Sequence, residues 1–433
     1  MIWIGYTTLY REGGARLERA ARTMEAEKRA RFPDQVVRCE RVESKAAFLA
    51  AMERIAGEED VITELHFVGH SGLYGIMFGT TDWPEQFSPH EWRAMSIPFA
   101  PDGEAYFHAC RAGRWFAPFF ARTFGVVAYG YHWYTTFSRR PDRFRWEARD
   151  RADRPLYVVS VRGRKSHGML GSAMKYAGVA EVEPLKRFEP AEPEGDTTYD
   201  SVADLYDRAF DDITVRRTEW SWLLRHLPAK EKLRVLDIGC GNGSLLTSLG
   251  DRIAYAAGVD TSRRMIEIAR RRAGDDERFL FHEIDGPALP FGDAAFDVVI
   301  SFMSFRYLDW DPMMNEMRRV LAPGGKILIV DMAASPLRGR DLPRYAVAKA
   351  GDIVQGLRRP GFARDLGRLV TDPNWSTMLR YNPIRAEHEY RWYLASRFPG
   401  HHTEVLTVGM THKLIAFDSG ELQPGSVRPL SFP

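Results

Sequence analysis

Residues 233–244 read Leu-Arg-Val-Leu-Asp-Ile-Gly-Cys-Gly-Asn-Gly-Ser, with Asp237 near the end of an apolar run and glycines at 239, 241 and 243. A β-rich run that breaks into closely spaced glycines and resumes as a helix from Ser244 is a strand–turn–helix unit. Glycines at such a turn let the backbone reverse sharply and let a ligand approach the main chain without meeting a Cβ. Taken alone, the turn suits a dinucleotide. The spacing is Gly-x-Gly-x-Gly, however, and the dinucleotide fingerprint needs its third glycine one place later, where this chain has Ser244.

Further along the chain, β-rich runs at 254–260, 279–285, Phe296–Phe302 and 326–331 alternate with helical stretches such as 262–272. Such alternation predicts a parallel α/β sheet with right-handed crossovers. A helical insertion is expected over 340–397. The last two β-rich runs, 404–408 and 413–417, are joined only by Gly409-Met410-Thr411. They must be antiparallel, because a parallel crossover needs a dozen or more residues.

With these residues in view, 198–417 resembles the class I S-adenosylmethionine-dependent methyltransferases. The matching segments, in order, are Tyr199-Asp200 and Tyr206-Asp207, the glycine turn, Gly258-Val259-Asp260, Glu283-Ile284-Asp285-Gly286, Leu289-Pro290-Phe291, and Arg319 to Lys326 with its Ala-Pro-Gly-Gly turn. The resemblance implies S-adenosyl-L-methionine as cofactor. It places Asp237 against the glycine loop or the cofactor's ammonium, and Gly239, Cys240, Gly241, Asn242 and Gly243 along its methionine and ribose portions. It puts Asp260 on the ribose hydroxyls with Thr261 and Met265 nearby, and Asp285 and Gly286 at the adenine. Tyr206 of the leading helix and Ser301 at the fourth strand complete the set. The family's histidine after the fourth strand is missing, since the segment is Ser301-Phe-Met-Ser304-Phe-Arg306-Tyr307. Tyr307 is the acceptor-side candidate, and Trp375, Tyr381, Tyr390, Trp392 and Tyr393 are candidates to wall an apolar acceptor pocket. No metal is expected. The alternative reading is a cofactor-binding scaffold or sensor without transfer activity.

Before residue 188, β-rich runs at 2–8, 36–37, Ile62–Val68, 105–108 and 126–129 alternate with helical periods such as Leu17, Ala20, Ala21 and Met24. Two of the runs end in reactive residues: His70 in Gly69-His70-Ser71-Gly72, and Cys110 in Ala109-Cys110-Arg111-Ala112-Gly113. Residues just past adjacent parallel strands converge at the sheet's mouth. This part resembles the caspase and CHAT clan of cysteine peptidases, and the resemblance implies Cys110 as nucleophile with His70 polarising it. Peptidase, regulatory and recognition roles stay open for it.

The expected architecture is thus α/β with two doubly wound sheets. A caspase-like domain covers 1–188, a linker of Pro, Gly and acids 189–197, a seven-stranded Rossmann-like methyltransferase domain 198–417, and a tail 418–433. Across 433 residues, Lys+Arg is 60 against Asp+Glu 58, a formal charge of +2, with 28 basic and 24 acidic residues in 1–190. So even a balance disfavours nucleic acid as partner and leaves a small-molecule or peptide-like acceptor. Three cysteines are too few for a disulfide framework and suggest a reducing, cytoplasmic setting. No apolar run approaches the ~18–20 residues of a spanning helix, so no membrane partner is expected.

Overall fold

The structure is a computed structural model in which residues 1–145, 154–162, 169–193, 195 and 197–423 are described. The chain divides between Glu192 and Pro193 into two units.

The first unit is built on a six-stranded sheet. Strands β1 (Ile2–Tyr6), β2 (Val37–Arg41), β3 (Ile62–Val68), β4 (Phe99–His108) and β5 (Val127–Gly130) are parallel, and β6 (Lys186–Phe188) pairs antiparallel with β5, in the order 6-5-4-3-1-2. All five residues of β1 are buried, because helices cover both faces. Trp3, Phe67 and Phe107 pack on one side with Phe48 of α2 (Lys45–Gly57) and with Phe116 and Phe120 of α3 (Phe116–Phe124). Ile2, Ile4 and Val68 pack on the other with Leu17, Ala20 and Ala21, so the helix over Gly14–Arg31 is α1. Ser44 caps α2, its hydroxyl accepting from the Ala47 N–H at 3.0 Å. Strand β4 starts six residues before the apolar run that announces it. Pro101-Asp102-Gly103 reads as a break but is absorbed as an irregularity between the Ile62↔Phe99 and Glu64↔Glu104 pairs. A three-stranded antiparallel sheet of Thr135–Ser138, Tyr157–Val161 and Val182–Glu183 was not legible in the sequence, its pairings being too short to carry a period.

Alternate positions of β3, β4 and β5 build a polar ladder on the α1 face. His66 stacks on Tyr106 (4.5 Å between centroids), and Tyr106 on Tyr129 (4.4 Å). Burial alone would raise Glu64, but hydrogen bonds from His66 and Lys28 outweigh it and hold the carboxyl at about 2. With Glu64 ionised, His66 Nε2–H donates to it at 2.8 Å, so His66 Nδ1 accepts from His108 Nε2–H at 3.2 Å. Burial lowers the pKa of both imidazoles, and each is neutral at pH 7. Unfolded histidines take up protons below about 6.5 while these resist, so stability falls as pH drops through that value, by up to ~1.4 kcal/mol per pH unit and group. His108→Gln is expected to flatten the loss of urea resistance between pH 7 and 5. An unchanged slope removes His108 from the acid response.

The second unit carries a seven-stranded sheet. Its strands are β7 (Leu233–Ile238), β8 (Ile253–Asp260), β9 (Phe279–Glu283), β10 (Phe296–Phe302), β11 (Leu321–Ala334), β12 (Glu404–Val408) and β13 (His412–Asp418). Their order is 9-8-7-10-11-13-12, with β13 antiparallel to both neighbours and the rest parallel. The turn before β13 is closed by the Gly409 N–H donating to His412 O at 2.8 Å. Strand β11 begins before its apolar run, where the Gly324 N–H donates to Leu422 O at 2.8 Å and Gly325 O accepts from the Leu422 N–H at 2.9 Å. The order reverses between β7 and β10, which opens a crevice at their carboxyl ends. Around the sheet lie α4 (Ala203–Ala209), α5 (Arg217–His226), α6 (Ser244–Ser248), α7 (Arg263–Ala273) and α8 (Trp310–Val320). Four helices fill the connection from β11 to β12: α9 (Leu342–Arg358), α10 (Pro360–Thr371), α11 (Pro373–Tyr381) and α12 (Glu387–Arg397). Residues 424–433 of the expected tail lie outside the described residues.

Candidate functional site

The glycine turn leaves β7 with Gly239, Gly241 and Gly243 all left-handed, at φ of 72°, 53° and 73°. At Gly239 a Cβ would lie 2.3 Å from Ser304 Cβ, so the loop sits directly on that serine. At Gly241 the nearest atom to a Cβ is the Tyr206 ring at 3.9 Å, and the space beside the main chain is open. Asp260 holds the loop from the next strand: its carboxylate accepts from the Gly241 N–H at 2.8 Å and from the Ser262 N–H at 2.9 Å. From the other side Ser304 Oγ–H donates to Ile238 O and meets Ser301 Oγ at 2.7 Å. Met303 adopts a left-handed φ of 65° to deliver Ser304 there, a strained residue of the kind that clusters at functional sites.

The result is a cleft at the switch point, lined by Asp237, Gly239 and Gly241 and by Tyr206, Phe210, Arg216 and Phe302. Asp237 is 2% exposed and its Oδ1 has no hydrogen-bond partner. Burial, reinforced by the neighbouring Asp260 charge, pushes its carboxyl well above the usual range. A buried carboxylate oxygen without a donor is costly unless a cation or donor arrives to meet it. Arg216 lies over the Phe210 ring at 3.9 Å and lends the cleft a positive charge. Nothing in the sequence marks Arg216, an arginine between a 3-10 turn and α5, and nothing marks Ser304 beyond its place three residues after Ser301.

The leading segment is fastened over this cleft. Asn242 Nδ2–H donates to Asp207 Oδ1 at 2.9 Å and to Phe210 O at 3.0 Å, while Arg272 donates to Asp207 Oδ1 at 2.7 Å. Asp200 accepts from Ser262 Oγ–H and, at 3.2 Å, from the Arg264 N–H. Asn242 thus spends its side chain inside the protein. Met265 packs with Ala203 and Ile268 beneath Tyr199 and Tyr206. Ser301 is fully buried under the loop, and Cys240 is buried in the core with its thiol pushed well up by burial. Thr261 and Asp285 are exposed beyond the ends of β8 and β9, with Gly286 following at φ 109°.

On the acceptor side Tyr199 O–H donates to Tyr307 Oη at 3.1 Å, and Tyr199 also packs edge-on against Tyr206 and Trp375. Tyr390 and Tyr393, expected to wall a pocket, are buried in the core against Trp310 and Phe305, and Trp392 packs beside them. The helical period of α12 turns them inward, which composition alone does not reveal.

In the first unit, His70 and Cys110 follow the neighbouring strands β3 and β4, and the two turns touch through Ser71 Oγ–H donating to Cys110 O. No hydrogen bond joins their side chains. His70 Nε2 faces Glu12 O at 3.4 Å and its ring packs against Tyr10, while Cys110 Sγ lies 3.1 Å from Thr135 Oγ1 and accepts from the Thr135 N–H at 3.3 Å. The strand from 135, unseen in the sequence, captures the thiol.

A doubly wound sheet with its switch-point cleft over a left-handed glycine turn defines a nucleotide-type cofactor site. The sequence profile of a methyltransferase-domain family matches residues 236–329. The chain is 30% identical to the 27-O-demethylrifamycin SV methyltransferase of Amycolatopsis mediterranei, over 41% of this chain and 78% of that protein. It is 34% identical to the demethylmenaquinone methyltransferase of Clavibacter sepedonicus, over 35% of this chain and 64% of that protein, and spans 50% of the Thermus thermophilus counterpart. A crystal structure of a methyltransferase from Aquifex aeolicus aligns with 52% of this chain and 99% of its own, at 17% identity and a TM-score of 0.33. The chain belongs to the methyltransferase family, and S-adenosyl-L-methionine is its cofactor. The residues present fit that group: Asp237 offers a buried oxygen lacking a donor, and Gly241 leaves open the space that a side chain would fill.

Proposed function

We propose that 198–417 transfers a methyl group from S-adenosyl-L-methionine to a small-molecule or peptide-like acceptor, and that 1–188 is a caspase-like recognition or regulatory domain. The observation that carries the reading is the partnerless Asp237 oxygen in a glycine-floored cleft within the matched family segment. Bound there, the cofactor supplies an electrophilic methyl on a sulfonium. Asp237 meets its ammonium, Arg216 its carboxylate, Asp260 its ribose through lone pairs left over from the loop amides, and Asp285 its adenine. Tyr206 and Phe210 cover it and keep water out. Tyr307, already accepting from Tyr199, keeps its own O–H to orient an acceptor oxygen. Small organic acceptors are supported by relatives named for a demethylmenaquinone, a rifamycin and, in Caenorhabditis elegans, a sterol. The setting is cytoplasmic in this reading.

Titration calorimetry with S-adenosylhomocysteine tests the site, and labelled methyl transfer into a lysate tests the reaction. Arg216→Ala is expected to weaken S-adenosylhomocysteine about tenfold, equal to ~1.4 kcal/mol, and Arg216→Lys to recover part of it. Binding unchanged in both variants removes Arg216 from the site. For the first domain, the sheet order with His70 and Cys110 at adjacent turns supports the resemblance, and the capture of Cys110 by Thr135 favours a non-proteolytic role. Burial pushes the Cys39 thiol up to about 12, so alkylation at pH 8.5 is expected to label half-buried Cys110 at least tenfold faster than Cys39. Equal rates would show that Cys110 has no accessible role.

A further inference from the structure

Helix α9 wears its amphipathicity inside out. It has no buried residue, and Val347 (74% exposed), Ile353 (64%) and Leu357 (78%) face outward with Leu342, Ala346 and Val354. At ~100° per residue these positions share one continuous arc of about 140°. The opposite side, with Tyr345, Ala348, Gln355 and Gly356, is the half-buried one. There Gln355 Nε2–H donates to Val215 O at 2.6 Å, and just beyond the helix Arg359 pairs with Asp212 at 2.8 Å. The polar and small side is therefore fixed to the protein, and the apolar side is presented outward along a helix of about 25 Å. An ordinary surface helix does the reverse.

The rim of the arc is basic. Arg338, Arg340 and Arg344 at one end and Arg358 at the other are exposed and, among the described residues, make no ion pair. Asp352, the helix's acid, is already paired with Lys349 at 3.2 Å. An apolar stripe edged by arginines is the pattern of a helix lying in a lipid interface, where the stripe enters the acyl boundary and the guanidinium groups meet anionic headgroups. A second copy fits poorly. A two-fold axis across α9 lays the arginines of one end against those of the other, a like-charge contact. Among the described residues no helix is long and apolar enough to cross a membrane, and none is needed, since α9 lies flat.

We propose that α9 docks the protein on an anionic lipid surface. The docked face adjoins the cofactor cleft: α10 packs on α4, Phe362 against Phe210 at 5.9 Å, and the Asp212–Val215 turn held by Gln355 and Arg359 contains Ile213 and leads into Arg216, both of the cleft wall. An apolar acceptor dissolved in the lipid would have a short path to that cleft.

The test is co-sedimentation of the full chain with vesicles of phosphatidylcholine alone or mixed equally with phosphatidylglycerol. Partition is read directly, so the result does not depend on methyl transfer. The expected result is at least tenfold greater partition into the anionic vesicles, weakened by salt. Ile353→Asp with Leu357→Asp, and separately Arg344→Glu with Arg358→Glu, should each lower it at least tenfold while circular dichroism and S-adenosylhomocysteine binding stay as in the parent. No preference for anionic vesicles, or either double variant partitioning like the parent, overturns the proposal. So does a concentration-dependent dimer, lost on Ile353→Asp with Leu357→Asp, in a protein that ignores vesicles, because a second copy is then the occupant.

Discussion

Asp237→Asn is expected to weaken S-adenosylhomocysteine binding at least thirtyfold and, in the ligand-free protein, to raise the melting temperature. The two effects have one cause. The Asp237 carboxyl is buried beside Asp260 with one oxygen lacking a donor, and its pKa is pushed well up. Because the folded pKa lies above the unfolded one, the group favours folding at low pH and that contribution is lost as pH rises through the folded value. At neutral pH the ligand-free protein therefore bears a cost at this carboxyl, either an unmet charge or the proton taken up to avoid one, that asparagine lacks. Relief of about 1 kcal/mol corresponds to ~2–4 °C for a domain of this size. An ammonium placed against the carboxylate reverses the balance, and losing that charge-assisted bond costs ~2 kcal/mol, or about thirtyfold. Calorimetry and thermal melts of the same two proteins check both halves. A variant that binds as well as the parent removes Asp237 from the cofactor site. One that binds poorly and also melts lower shows instead that the carboxylate braces the fold.

Asp331→Ala is expected to cost ~3–5 kcal/mol of unfolding free energy, a large share of what holds a domain folded. Asp331 is fully buried and ends the parallel part of β11. Its carboxylate accepts from the Arg306 main-chain N–H and guanidinium, from the Met332 N–H at 2.7 Å, and from Tyr390 O–H at 2.9 Å. Removing it strips a buried guanidinium of its counter-charge and unseats the turn that carries Ser304 to the glycine loop and Tyr307 to Tyr199. Asp331→Asn should lose less, since it keeps the shape and one acceptor. Arg306→Met combined with Asp331→Ala should recover part of the loss, because both charges then go together. Urea denaturation of the four proteins reads this directly. A cost below ~1 kcal/mol for Asp331→Ala would show that the pair is not holding the turn.

Local signals carried most of the fold. The parallel strands announce themselves because both faces are buried, so each reads as an apolar run whatever its neighbours do. The antiparallel end of the second sheet follows from the shortness of the 409–411 turn alone. Where local signals conflict with pairing, the sequence misleads. Pro101-Asp102-Gly103 and Ala322-Pro323-Gly324-Gly325 read as breaks, yet each lies within a strand because pairing on either side of it carries the strand through the irregularity.

At the site, the sequence by itself determined the residue types and their order: an acid at the end of β7, glycines where φ must be positive, an acid closing β8. These depend on the chain's neighbours in sequence, and spacing records them. Only the tertiary structure decided how the groups are shared out. Asp260 spends its carboxylate on the loop amides, Asn242 ties down the leading helix, and Ser304 holds up Gly239 from the turn after β10. It also set Arg216 in the cleft, turned Tyr390 and Tyr393 into the core, gave Cys110 to Thr135 rather than His70, and left the apolar side of α9 facing out. Each of those outcomes depends on which distant segment arrives beside a residue, and a linear pattern of residue types carries no record of that arrival.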